Sequence, residues 1–214
     1  MKKKYILFDN DGVLVETEHL YFEANVKALK EFFNLNLDFE TYMEIMARGG
    51  TAWEIAQKVG ISEDKISTAR KQRDIYYQEF LKTRDIEIDG IKDILSDLSK
   101  NYKMAIITTS RRVDFDLIHK DRGIVDFMDF TLCVEEYKRA KPFPDPYLAG
   151  LKKFGAKKEE TIVIEDSQRG LTSAYNAGIE CVIVKNEFTK THDFTKASYF
   201  LDNLKDLKEL LSTL

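Results

Sequence analysis

The sequence has few of the residues that hold a fold together by covalent or rigid links. Its 214 residues include 3 prolines and 2 cysteines, whereas average usage of about 5% would give about 11 prolines. Cys133 and Cys181 are far apart and have no cysteine or histidine near them. This spacing suggests neither a disulfide framework nor a zinc site, so we expect a reducing compartment.

The sequence also lacks long hydrophobic runs and a strong excess of charge of one sign. No run approaches the roughly 18 apolar residues that a membrane span needs, and the apolar residues behind the basic start are too few for a signal peptide. The net charge is −4, so no overall attraction to nucleic acid or anionic lipid is expected. We therefore predict a globular cytoplasmic protein that binds neither membrane nor nucleic acid. Any anionic ligand must be bound by a local site.

Short apolar runs bounded by turn residues predict buried strands. They cover residues 5–8, 104–107, 130–134, 161–164, 181–184 and 199–201. Continuous apolar strands are typical of parallel sheets that are covered on both faces, and helical segments alternate with the strands from residue 84 onward. We therefore predict an α/β fold with a doubly wound, Rossmann-like parallel sheet.

Residues 16–83 interrupt this alternation. The segment has helical periodicity at 21–33, 53–59 and 65–81 and no convincing strand. A strand-to-helix loop normally needs only about 2–6 residues. We therefore predict an inserted all-helical domain at 16–83, with hinges at its junctions, in an α/β core formed by 1–15 and 84–214.

Two carboxylates follow the first predicted strand, in Asp9-Asn10-Asp11-Gly12. Ligands of doubly wound sheets bind beyond the carboxyl ends of the strands. One carboxylate there can bind a metal while the other transfers a proton. An acidic turn is the alternative. A calcium loop is excluded, because its first ligand position would fall on Leu7 inside the apolar strand.

Hydroxyl and basic side chains follow the next strand of the predicted core, at Thr108, Thr109, Ser110 and Arg111. Hydroxyls and free backbone N–H groups that open a helix can bind phosphate oxygens. Ordinary helix capping is the alternative, since Ser and Thr are common N-caps.

All three prolines lie within five residues, directly after Lys141, in the segment KPFPDPY at 141–147. Each proline fixes its own φ and restricts the residue before it. We expect these prolines to stiffen the segment before a helix that begins near Asp145, and so to hold Lys141 in place. A stiff connector with a solvated lysine is the alternative.

Acidic residues also follow the predicted strand 161–164, at Glu165 and Asp166. A carboxylate here can complete a magnesium site with Asp9, while a helix cap is the alternative. All four motifs fall at strand ends on the same edge of one sheet. Their convergence predicts one site that combines carboxylates, hydroxyls and a lysine.

The order and spacing of these motifs resemble the haloacid dehalogenase superfamily of phosphotransferases over essentially the whole chain. The shared pattern is DxDG, a Thr/Ser after the second core strand, KPxPDxY and an acidic EDS. The helical insertion is similar to the cap of the β-phosphoglucomutase-like and phosphoglycolate phosphatase-like branch. The resemblance implies a magnesium-dependent phosphatase that hydrolyses a small phosphorylated metabolite, such as a sugar phosphate, through an aspartyl phosphate.

The resemblance also implies a role for each motif. Asp9 is expected to be the nucleophile and Asp11 the general acid and base. Thr108 and Lys141 are expected to bind the transferring phosphoryl group. The implied ligands of Mg²⁺ are Asp9, the Asp11 backbone carbonyl, Glu165 and Asp166. The residues expected to bind the rest of the substrate are Thr109, Ser110, Arg111 and, from the cap, Arg48.

Four alternative functions are disfavoured by particular residues. A β-phosphoglucomutase-type sugar phosphomutase would carry a cap histidine where ungapped alignment puts Tyr21, with His19 two residues earlier. A phosphoacceptor signalling domain would have its aspartate after the third strand, where Glu135 and Glu136 stand, and would need no cap. A binding module would need no catalytic acid such as Asp11, whose presence also argues against dehalogenation.

The two other histidines, His119 and His192, have no set of metal-ligand partners. We therefore expect both at the surface. The protein is expected to be a monomer or a weak dimer.

Overall fold

The chain forms two compact units in the computed structural model, which describes residues 2–214. One unit comprises the described residues up to Glu16 together with Glu87–Leu214, and the other comprises Thr17–Ile86. The predicted domain boundaries lie close to these limits. The regular elements of the second unit are all helices, among the residues that the structure describes.

Six parallel strands form one sheet in the first unit, in the order β3-β2-β1-β4-β5-β6. The strands are β1 (Tyr5–Phe8), β2 (Lys103–Ile107), β3 (Phe130–Leu132), β4 (Thr161–Glu165), β5 (Glu180–Val184) and β6 (Tyr199–Leu201). This is the order of a doubly wound sheet, whose direction of winding reverses between β1 and β4. The predicted fold class is confirmed.

Helices cover this sheet and form the second unit. The helical unit contains α1 (Glu18–Phe33), α2 (Phe39–Ala47), α3 (Glu54–Lys58) and α4 (Glu63–Thr83). The sheet unit contains α5 (Ile91–Ser99), α6 (Arg112–His119), α7 (Asp145–Phe154), α8 (Gln168–Ala177) and α9 (Leu207–Ser212). None of the helices in the described part of the chain is both long and apolar enough to cross a membrane.

The sequence pattern does not predict α2. This helix begins after Asp38, whose side chain accepts a hydrogen bond from the Thr41 backbone N–H at 2.8 Å. That is ordinary N-capping. Its buried residues are Tyr42, Met43 and Ile45, and the helix is too short, at 9 residues, for these positions to establish a helical period.

The parallel register brings the ends of three strands to one edge of the sheet. Phe8 at the end of β1 lies opposite Ile106 of β2 on one side and Ile164 of β4 on the other. The middle strands are buried on both faces, which explains their continuous apolar sequences. Asp9 and Thr108 therefore leave the sheet at the same edge, beside the point where the winding reverses.

Candidate active site

A buried ammonium group joins two carboxylates at this edge of the sheet. Lys141 Nζ lies 2.7 Å from Asp9 Oδ1 and 2.6 Å from Glu165 Oε1. The Lys141 side chain is 2% exposed and that of Glu165 is fully buried. Asp9 follows β1, Glu165 ends β4, and Lys141 precedes α7, as expected for a site beyond neighbouring parallel strands.

Burial and mutual repulsion act against ionisation of these carboxylates. Burial, together with the charge of Glu165, raises the pKa of Asp9 to about 7, although Lys141 opposes the increase. Burial also acts to raise the pKa of Glu165, but Lys141 and several hydrogen bonds hold it below its usual value. The two carboxylates in turn raise the pKa of Lys141 against the effect of its burial. Lys141 is therefore a permanent cation in the site.

Glu165 accepts hydrogen bonds from several directions. The Tyr147 hydroxyl donates to Oε1 at 2.7 Å, beside the bond from Lys141. The other oxygen, Oε2, accepts from the backbone N–H groups of Asp166 and Ser167 at 3.2 and 3.3 Å, and from the Ser167 hydroxyl at 3.0 Å. This set of donors fixes the Glu165 carboxylate, which in turn orients Lys141.

The Asp11 side chain is held by hydroxyl groups from the end of β2. Its Oδ2 accepts from Ser110 Oγ at 2.9 Å and from Thr108 Oγ1 at 3.3 Å. Thr108 Oγ1 also accepts from the Ser110 backbone N–H at 3.0 Å. The structure thus brings together predicted residues that are about 100 positions apart in the sequence.

Asp166 stands against the turn that follows Asp11. Its Oδ2 accepts from Asn186 Nδ2 at 2.8 Å. A Cβ atom on Gly12 would lie 2.1 Å from the same oxygen, and Gly12 has a φ of +80°. Both facts require glycine at this position, because a side chain would displace Asp166 and strain the turn.

Three carboxylates offer a suitable donor set for a divalent cation. Ligand oxygens of Asp9, Glu165 and Asp166 all lie within 4.8 Å of one another. Hard divalent cations such as Mg²⁺ prefer oxygen ligands and carboxylates. Lys141 is the ammonium that contacts this group, so the carboxylates carry excess negative charge that a cation would offset. The residues present therefore fit a metal of this class.

The two arginines predicted to bind substrate have carboxylate partners. Arg111 Nε donates to Asp114 Oδ2 at 2.7 Å, and its Nη2 lies 2.7 Å from the same oxygen. Arg48 is paired with Glu54 inside the helical unit. Either guanidinium would have to share or leave its carboxylate in order to bind an anionic substrate.

We expected His119 and His192 at the surface, and this prediction is wrong for His119. This residue is 8% exposed, and its Nε2 lies 2.7 Å from Asn10 Oδ1. The helical spacing predicts this position, since His119 lies four residues after the buried Phe115. His192 is half-buried, and its Nδ1 accepts from the Gln168 backbone N–H at 3.3 Å.

Three further residues at the site have no role in the sequence analysis. Asn186 follows β5 by two residues, so the strand-end argument that identified Asp9 applies to it equally. Tyr147 lies in the lysine–proline segment at the start of α7. Arg169, in the first turn of α8, donates from Nη2 to Thr109 Oγ1 at 3.3 Å.

Comparison with known proteins agrees with this arrangement. The haloacid dehalogenase-like hydrolase family matches residues 6–184. The chain is 25% identical to the pyrophosphatase PpaX of Bacillus mycoides (strain KBAB4), over 99% of this chain and 98% of the relative. It is 28% identical to protein CbbY of Rhodobacter capsulatus, over 95% of each.

A solved structure shows the same fold. The crystal structure of CbbY from Rhodobacter sphaeroides in complex with phosphate superimposes with a TM-score of 0.83 and 24% identity, and 96% of each chain is covered. The family match spans more than half of the chain and includes Asp9, Lys141 and Asp166. The chain therefore belongs to the haloacid dehalogenase-like hydrolase family.

Proposed function

We propose that this protein is a magnesium-dependent phosphatase that hydrolyses a small phosphorylated metabolite through an aspartyl phosphate on Asp9. One observation carries the proposal. A permanent ammonium, Lys141, is buried between the nucleophile candidate and Glu165, while two hydroxyl groups hold the Asp11 carboxylate on the same edge of the sheet. The relative PpaX, which is named a pyrophosphatase, and the phosphate bound to the CbbY structure favour hydrolysis of a phosphorylated compound.

Asp9 is proposed to attack phosphorus. An oxygen of its carboxylate forms a bond to phosphorus while the bond from phosphorus to the leaving oxygen breaks. The Asp11 carboxyl donates a proton to that oxygen. Asp11 then accepts a proton from a water molecule, the water oxygen bonds to phosphorus, and the bond between phosphorus and Asp9 breaks.

Lys141 and Thr108 are proposed to bind the phosphoryl oxygens. Lys141 is oriented by Glu165 before substrate binds, so little reorganisation is needed when negative charge develops. The Thr108 hydroxyl contacts Asp11, which keeps the phosphoryl-binding group and the proton donor together.

Mg²⁺ would be held by Asp9, Asp166 and the Asp11 backbone carbonyl, with the Glu165 carboxylate beside them. The ion would supply positive charge that offsets the repulsion between a carboxylate nucleophile and a phosphate dianion. Glu165 already accepts hydrogen bonds on both oxygens. We therefore assign Asp9, Asp166 and the Asp11 backbone carbonyl as the direct ligands, and Glu165 has the supporting role of orienting Lys141.

The helical unit is proposed to serve as a cap that excludes bulk water and contributes Arg48 to substrate binding. Tyr21 packs within this unit, with its ring 5.1 Å from that of Tyr77 and 4.4 Å from the Arg73 guanidinium. That packing favours a structural role for Tyr21 over the role of the mutase histidine.

The monomeric or weakly dimeric state and the cytoplasmic location stay predictions.

The test is phosphate release from a panel of small phosphate esters with Mg²⁺. We expect turnover by the wild-type protein and a loss of at least roughly a thousandfold in kcat for Asp9→Asn, because the amide is a poor nucleophile. Acid-quenched protein should carry a phosphoryl group on the peptide that contains Asp9.

A matched control replaces an exposed aspartate. Asp202, which pairs with Lys185 at the surface, becomes asparagine with no expected loss of activity. Full turnover by Asp9→Asn, or no turnover of any phosphate ester by the wild-type protein, would contradict the proposal. Conversion of β-glucose 1-phosphate to glucose 6-phosphate without net phosphate release would establish the mutase instead.

A further inference from the structure

Arg169 differs from the two arginines predicted to bind substrate. Arg111 is paired with the buried Asp114, and Arg48 is paired with Glu54. Arg169 makes one polar contact, from Nη2 to the neutral hydroxyl of Thr109 at 3.3 Å. Within residues 2–214, no carboxylate lies at ion-pair distance from the Arg169 guanidinium. Its charge is therefore not neutralised by the protein.

The position of Arg169 in its helix is electrostatically unfavourable. It is the second residue of α8, where the helix dipole is positive, and the first turn of α8 contains no acidic residue. The helix dipole disfavours a cation at a helix N-terminus. A half-buried, uncompensated arginine in this place conflicts with the usual charge pattern of a helix, and such conflicts are expected at functional sites.

Arg169 also lies beside the phosphoryl-binding residues. Its contact, Thr109, directly follows Thr108, whose hydroxyl bonds to Asp11. Asp166, a proposed metal ligand, lies three residues before Arg169 in the chain. Burial is the main cause that lowers the pKa of His192, and the positive charge of Arg169 lowers it further. The flank of the site around Arg169 therefore presents positive charge.

We propose that Arg169 binds a second anionic group of the substrate, a carboxylate or phosphate carried by the leaving group. Arg169 is thus the residue that makes the enzyme select substrates with an anionic group besides the phosphoryl group that is transferred. A guanidinium matches the planar geometry of a carboxylate or phosphate and can donate two parallel hydrogen bonds. This inference rests on the phosphatase function proposed above.

The experiment compares substrates with and without the second anion. Two probes, called doubly anionic here, carry a second anionic group besides the transferred phosphoryl group: 2-phosphoglycolate and inorganic pyrophosphate. The probe without a second anionic group is 2-hydroxyethyl phosphate, which matches phosphoglycolate in length. We expect Arg169→Gln to lower kcat/KM for at least one doubly anionic probe by roughly 10- to 100-fold, because a charge-assisted contact is lost. The kcat/KM for 2-hydroxyethyl phosphate should change by less than about threefold.

Two further variants separate anion binding from a structural effect. Arg169→Lys keeps the charge and should restore part of the preference. Arg112→Gln removes a neighbouring arginine that is already paired with Glu136, and should leave the preference unchanged. Because each variant is scored by the ratio of kcat/KM between probes, a general loss of folded protein cancels.

The outcomes distinguish this inference from the proposed function. Absence of turnover on every probe and on the wider ester panel contradicts the phosphatase function and this inference with it. If the wild-type protein turns over phosphate esters but shows no preference for a second anion, the role of Arg169 is overturned alone. The same holds if Arg169→Gln lowers all probes equally, or if Arg111→Gln changes the ratio and Arg169→Gln does not.

Discussion

Single residues show how the site tolerates several buried charges. Lys141 contacts Asp9 and Glu165 at hydrogen-bonding distance, so one compact ammonium compensates two carboxylates. Removing one partner of a buried ion pair typically costs about 3–5 kcal/mol, because the other charge is left without compensation. The same requirement explains why Glu165 accepts a further bond from the buried Tyr147 hydroxyl.

His119 should make the stability of the protein depend on pH. Burial lowers its pKa to about 4, from an ordinary value of 6.5, with Asp11 opposing and Arg122 reinforcing the change. Between these values the unfolded chain binds a proton that the folded protein does not, so stability falls as the pH decreases from about 6.5 towards 4. The wild-type protein should lose about 2 kcal/mol of unfolding free energy between pH 7 and pH 5 through this residue.

Urea unfolding at the two pH values measures the effect. His119→Gln provides the control, because its side chain can still donate to Asn10 but does not titrate in this range. The loss of stability between pH 7 and pH 5 should be about 2 kcal/mol smaller in the variant than in the wild-type protein. Equal losses in the two proteins would show that His119 does not titrate as its burial predicts.

At the scale of elements, the start of α8 supports the buried carboxylates of the candidate site. Ser167 caps the helix by accepting from the Gly170 backbone N–H at 3.1 Å, and its hydroxyl donates to Glu165. The helix therefore begins directly against the residue that orients Lys141. A Cβ atom on Gly170 would lie 1.7 Å from Glu165 Oε1.

Gly170→Ala tests this packing, because the substitution should stabilise an ordinary helix but destabilise this one. Alanine in a helix is normally more favourable than glycine by about 1 kcal/mol. Here the added methyl group must displace Glu165, so we expect a less stable protein with a kcat reduced by about 100-fold or more, since Lys141 loses its position. Urea unfolding and steady-state kinetics measure both effects.

Gly150→Ala in α7 is the matched control. Its added Cβ would lie 3.1 Å from the Leu7 methyl groups and 3.2 Å from an Ile107 methyl group, and neither side chain takes part in the site. Activity should stay close to that of the wild-type protein. A stabilised and fully active Gly170→Ala variant would mean that the close approach to Glu165 has no functional importance.

The apolar pattern predicts where the strands lie but not every limit, since β3 ends at Leu132 although the apolar run continues to Val134. The predicted limits of β1 and β6 match the structure, and the helix expected near Asp145 begins there. The sequence does not predict that β4 extends to Glu165. The apolar run ends one residue earlier, but the strand continues and the Glu165 carboxylate is buried in it. Its burial depends on Lys141, which is 24 residues away.

At the scale of the whole molecule, the sequence predicts which edge of the sheet carries the site but not how its side chains pair. Strand order brings Asp9, Thr108 and Glu165 together, and the doubly wound pattern is enough to expect it. The pairing of Arg111 with Asp114, and the lack of such a partner for Arg169, depend on side-chain positions that no sequence period encodes. The specificity of the site is therefore harder to predict than its chemistry.

Mg²⁺ should stabilise the protein through the carboxylates of the site. A ligand that binds only the folded state stabilises it by about 2.7 kcal/mol at 100 times its Kd, which corresponds to roughly 5–10 °C in Tm for a chain of this size. Asp166→Asn should remove most of this shift, whereas Asp202→Asn at the surface should retain it. Because the pKa of Asp9 is raised to about 7 without a metal, protons compete with Mg²⁺ at lower pH. The shift measured by thermal unfolding should therefore be larger at pH 8 than at pH 6, and an equal shift in Asp166→Asn would place the metal elsewhere.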